Sequence, residues 1–126
     1  MEVAVNNVIR IPTSLKSFFR YWFVFLRPFH QLTDREIDVI TSFAYERYQL
    51  SKVISDSEIL DKVVMSEDTK KKIREENNIT LAHFQVIMGK LRKNKVLLEN
   101  KINPRFIPNV TSDSDPFKLM LLFDIK

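Results

Sequence analysis

His30 and His83 are the only two histidines in the chain, and they are the first residues to weigh for proton transfer or metal ligation. They stand far apart in sequence and in different contexts. His83 lies near the start of a helix-like stretch, where an imidazole can meet a phosphate or a base or serve as a structural residue. His30 follows Pro28 and Phe29 and reads as a boundary residue. No HExxH or comparable ligand cluster surrounds either. Two carboxylate pairs, Asp34 with Glu36 and Asp113 with Asp115, have the residue types of acid/base chemistry. Helix capping explains the first more simply, a polar turn explains the second, and neither has a third group and a pocket. The sequence holds no cysteine, which removes disulfides, thiolate metal sites and thiol nucleophiles together. Its single glycine excludes a Gly-rich phosphate loop, because backbone amides approach a phosphate only where several residues lack side chains. The reading is a non-enzyme with no catalytic residue, no metal, no cofactor and no small-molecule substrate.

Binding chemistry is better represented. The amide of Gln85 can pair bidentately with adenine, with Thr80, His83 and Lys90 on or near the same helix. Arg92, Lys93, Lys95 and Lys101 then follow at the helix end and beyond, placed to neutralise phosphates. The competing reading is that these side chains keep a packed helix soluble. Charge is distributed unevenly: residues 1–31 carry four basic and one acidic group, and residues 32–65 four basic and seven acidic. Residues 66–110 carry ten basic and five acidic groups, and residues 111–126 two and three. A negative segment beside a positive one steers an anionic partner or drives subunit packing.

The elements that position these groups centre on Thr80 to Ile107. Leu81, Phe84, Ile87, Met88 and Leu91 recur at helical spacing. Val96–Leu98, a tight polar turn and a second strand would form a small wing. The predicted fold is mainly α with a small β wing: a winged helix-turn-helix-like core with extended N- and C-terminal segments. Upstream, Thr33 caps a helix, Glu36 completes a capping box, and Leu32 packs on Ile37 as a hydrophobic staple. Ile37, Ile40, Ala44 and Tyr48 supply its stripe. Further short helices start at Ser55–Glu58 and at Ser66, and Asn77-Asn78-Ile79 forms the turn before Thr80.

The division follows as residues 1–31, an aromatic interaction segment; 32–110, the winged domain; and 111–126, an apolar strand or buried tail. MEVAVNNVIRI partly alternates and reads as an edge strand. LKSFFRYWFVFLRPF is dense in aromatics, yet its longest apolar run, Tyr21 to Leu26, is six residues, so no membrane span or signal core is supported. Aromatics on nearly all sides of a terminal helix are hard to bury in one small domain. Such a helix packs its rings within the chain or against a partner; on the second reading Phe18, Phe19, Trp22 and Phe25, with Phe117 and Leu121 near the other end, are the candidate protein-interface residues. Truncating Trp22 is expected to impair assembly while leaving the central domain folded.

Leu32-Thr33-Asp34-Arg35-Glu36-Ile37 resembles the LTxRE opening of helix-turn-helix domains in response regulators, and FQVIMGKLRKN with Lys95-Val96-Leu97 resembles the second helix and wing of winged-helix proteins. That resemblance implies a groove-reading role for Gln85, Lys90, Arg92 and Lys93. HQLTDREIDVI (30–40), FQVIMGKLRKNKVL (84–97) and INPRFIPN (102–109) are together similar to small proteins of crAss-like tailed bacteriophages of gut Bacteroidota. This second resemblance implies a structural protein of the virion, at the collar, ring or head-tail junction, packed against other phage structural proteins in a symmetric multi-subunit assembly. The alternative expectation is a winged-helix regulator or replication factor that binds double-stranded DNA in the host cytoplasm during infection.

Overall fold

The computed structural model describes residues 8–126. Much of the edge-strand expectation for the first eleven residues lies outside them; Val8, Ile9 and Ile11 are exposed and belong to no helix or strand. The order of elements is α1 (Leu15–Phe25), α2 (Arg27–His30), α3 (Asp34–Ser51), α4 (Ser57–Val64), α5 (Glu67–Glu76), α6 (Leu81–Lys93) and a 3-10 turn (Pro104–Phe106). Among the described residues no helix is long and apolar enough to cross a membrane.

Helix starts follow local chemistry. Thr33 Oγ1 accepts from Glu36 N, and Glu36 Oε1 accepts from Thr33 N at 2.9 Å, so the reciprocal box satisfies two donors that the first turn leaves free. Asp56, Ser66 and Thr80 cap α4, α5 and α6 in the same way from their side-chain oxygens.

The organising element is α3. Ile37 and every residue from Val39 to Ala44 are buried, so this helix is enclosed on nearly all sides over two turns. Phe19 and Phe23, one turn apart on α1, pack into its core, while Phe84, Ile87, Met88 and Leu91 close it from α6. One polar atom in this enclosure has no partner: the hydroxyl of Thr41. Valine has nearly the same shape and no group to desolvate, so Thr41→Val is expected to raise the unfolding free energy by about 1 kcal/mol, read by urea denaturation.

The expected β wing, and with it the winged helix-turn-helix fold, is corrected here. Among the described residues no strand forms after α6; Leu97 and Ile102 make one isolated antiparallel bridge. Leu98 N donates to Lys101 O at 2.8 Å and Asn103 N to Val96 O at 2.9 Å, which closes a tight turn and nothing longer. Both ends of the pairing are blocked. Lys95 sits in the left-handed region at φ 63°, where the chain is still closing α6 through Val96 N to Leu91 O. On the other side Pro104, which has no N–H to give a ladder, opens the 3-10 turn. Val96, Leu97 and Ile102 are all buried, so the segment serves as a plug for the core, and its exposed residues Glu99 to Lys101 are confined to the turn.

The apolar C-terminal stretch also departs from expectation. Residues 116–126 form neither a strand nor a buried tail; they run out in an irregular, open path. Among the described residues this apolar run meets no sheet edge that could pair with it.

Candidate interaction surface

Helix α1 divides its aromatics between two faces. Phe19 and Phe23 are spent on α3, with Phe19 in edge contact with Tyr45 at 6.1 Å between centroids. Phe18 and Trp22, on the neighbouring line of the helix, are half-buried. Tyr21, Val24 and Phe25 point outward, and Phe29 continues this apolar patch from α2. Of the interface residues read from the sequence, Phe19 is therefore turned away from any partner and Phe25 is open to one.

Phe18 and Trp22 form a seat. The ring of Phe117 lies 4.9 Å from Phe18 and 5.6 Å, edge-on, from Trp22. The indole N–H of Trp22 donates to Phe106 O at 2.9 Å, tying α1 to the 3-10 turn and fixing the seat. Trp22 thus holds the domain together as well as facing the arm, which corrects the expectation that truncating it spares the core.

Among the described residues the arm beyond Phe117 is the longest run of exposed large apolar side chains. Leu119 and Leu121 are 50% and 53% exposed, and Met120, Leu122, Phe123 and Ile125 are 87%, 85%, 79% and 93% exposed. Soluble monomers rarely present so many large side chains together, and such patches mark interaction sites. The loop leading to the arm is pinned by Asp113, whose carboxylate accepts from Tyr48 and Lys52 near the end of α3. Hydrogen bonds from Lys52 and Tyr48 hold the Asp113 carboxyl below the usual carboxylate range, and the same carboxylate pushes the Tyr48 phenol up. Sixty-one residues separate Asp113 from Lys52 and sixty-five separate it from Tyr48, so no local signal in the sequence announces this contact.

The basic residues fall into two groups. Gln85 and Arg92 line a groove of about 590 Å³ between α5 and α6, together with Lys70, Lys71 and Arg74. Phe84 and Met88 form its floor, and Glu67 and Asp68 offset part of its charge, Glu67 reaching Lys70 at 3.5 Å. Lys90, Lys93, Lys95 and Lys101 lie outside this groove. Lys90 is half-buried and the other three are exposed.

His30 sits inside the protein. Its Nε2 lies 2.7 Å from Phe23 O and its Nδ1 accepts from Leu32 N at 3.0 Å, an arrangement that the neutral Nε2–H tautomer satisfies at both ends. The side-chain amide of Asn94, just past α6, donates to His30 O at 2.7 Å. Burial, chiefly, and the nearby Arg27 hold the imidazole below its ordinary pKa, against the hydrogen bond to Phe23. His30 is a staple of the corner between α2 and α3, while His83 stands exposed on the first turn of α6. Among the described residues no three acidic or histidine side chains gather as a metal site.

What these surfaces share is the ability to pack or to attract, through an aromatic seat, an apolar arm and a mixed-charge groove. No protein-family model, curated protein or solved structure matches the chain, so its own geometry and sequence carry the functional reading.

Proposed function

We propose that this chain is a non-enzymatic structural subunit of a tailed-phage particle, at the collar, ring or head-tail junction, and that it works by packing against other structural proteins. The observation that carries this reading is the exposed apolar arm beside the outward aromatics of α1. Burying such side chains supplies the non-directional drive of permanent assembly, at roughly 1.5–3 kcal/mol for each large side chain fully covered. The sequence similarity to small proteins of crAss-like phages supplies the setting. A structural subunit is expected at fixed stoichiometry, so quantitative mass spectrometry of purified, nuclease-treated virions should return a symmetry-compatible copy number when calibrated against the capsid protein. Absence from particles, with clear expression in infected cells, would reject the proposal.

The groove between α5 and α6 supports a second reading, binding of double-stranded DNA along α6, because it joins Gln85 and Arg92 to Lys70, Lys71 and Arg74. In that case a folded Gln85→Ala/Arg92→Ala variant loses DNA affinity and has a shallower salt dependence. Unchanged binding across a salt titration would remove these two residues from any such role.

A further inference from the structure

We propose that the C-terminal arm is exchanged between copies of this chain, with Phe117 of one copy seated between Phe18 and Trp22 of another. The proposal rests on the reading of the chain as a packing subunit and names its immediate partner as a second copy of itself.

Complementarity is already visible within one chain. The Phe18–Trp22 seat receives Phe117 at 4.9 and 5.6 Å, so exchange reuses an existing contact for its anchor. The attachment in cis is slight. Beyond Pro116 no hydrogen bond joins the arm to the rest of the described chain, and a single ring anchors it. The pin at Asp113 is an exposed ion pair, a kind of contact that solvent screens and that opens readily. With it open, residues 111–116, beyond the core-packed Val110, can span about 20 Å, enough to cross to an adjacent subunit.

Area points the same way. Covering a large aliphatic or aromatic side chain removes roughly 60–120 Å² from water, by the usual transfer coefficient. Six such residues follow Phe117, two of them already half-covered. Each arm can then remove roughly 300–600 Å², and two arms with the surfaces they cover reach the roughly 1,200–2,000 Å² of a stable interface. Seated on a neighbour, the arm would run beside Tyr21, Val24 and Phe25, the outward residues of α1 that one chain leaves open.

The absence of native cysteine permits a direct trap. A Tyr21→Cys chain is mixed with a Leu119→Cys chain and oxidised, so Phe18, Trp22 and Phe117 stay intact and a disulfide between positions 21 and 119 can form only between molecules. Arm exchange predicts that this mixed disulfide, identified by peptide mass spectrometry, exceeds the two homodimeric disulfides by about tenfold, since seating raises the local thiol concentration. Wild-type chain and a chain ending at Pro116 are compared in parallel by light scattering. The wild type is expected to be oligomeric and the shortened chain monomeric. Random disulfide pairing, or a wild-type chain that stays monomeric at several hundred micromolar, overturns the proposal, as does capture of Phe117 by a different protein in particles. A fixed copy number in virions without exchange leaves the structural role standing and removes only the exchange; exchange by a chain absent from virions does the reverse.

Discussion

His30→Ala is expected to lower the unfolding free energy by about 4 kcal/mol, because it opens a cavity and strips two buried backbone groups of their partners at once. Leu32 N–H loses its acceptor and Phe23 C=O its donor, both inside the α2–α3 corner that Asn94 also grips. Chemical denaturation at neutral pH measures the loss. The same residue gives stability a pH dependence whose sign is fixed by its environment. The folded-state pKa lies below the ordinary 6.5, so at mildly acidic pH the unfolded chain binds the proton more readily than the folded one. The stabilisation is complete above pH 6.5 and is lost as pH falls from there through the folded-state pKa. By pH 5.5 the loss reaches at most about 1.4 kcal/mol, the value of one proton over one pH unit. Protonation at Nδ1 would set a donor against the Leu32 N–H, which is the structural form of this cost. His30→Ala should remove this component, so the difference between variant and wild type shrinks on acidification. A difference that stays constant between pH 7.5 and 5.5 would show that His30 does not titrate differently in the two states.

Trp22→Ala should cost about 3 kcal/mol, somewhat below a fully buried tryptophan because one edge of the ring is open. Part of the loss is packing on the core and on Phe117, and part is the Phe106 carbonyl left without the indole N–H. Trp22→Phe separates the two contributions: it keeps most of the seat for Phe117 and removes only the hydrogen bond, for an expected cost near 1 kcal/mol. Hydrogen exchange reports the outcome in space, with protection falling in α1 and in the residues around Phe106. An alanine variant as stable as wild type would mean that α1 is held by Phe19 and Phe23 alone.

These two residues also mark where reading the sequence reaches its limit. Thr33 with Glu36, Ser66 and Thr80 were legible as helix starts because a cap is made within three residues, and Leu32 and Ile37 gave the same corner an apolar border. His30 was legible as a boundary residue, but its two backbone partners come from the packing of the α1–α2–α3 corner. On α1 periodicity could not choose a face. Phe18, Phe19, Tyr21, Trp22, Phe23 and Phe25 surround the helix, and only contact with α3 assigns Phe19 and Phe23 to the core and Tyr21 and Phe25 to solvent.

A short apolar run was read as strand twice, after α6 and at the C-terminal end, and both times the fold decided otherwise. A strand needs a partner edge as well as a pattern. Lys95 and Pro104 limit the first segment to one bridge, and no edge among the described residues meets the second. The sequence by itself therefore determined the helix caps, the absence of thiol chemistry and the apolar character of both α1 and the arm, since these depend on residue type and near neighbours. The tertiary structure alone decided that α3 is enclosed, that Phe117 rests on Phe18 and Trp22, and that Asp113 reaches Tyr48 and Lys52, because each of these depends on residues brought together only when the chain folds.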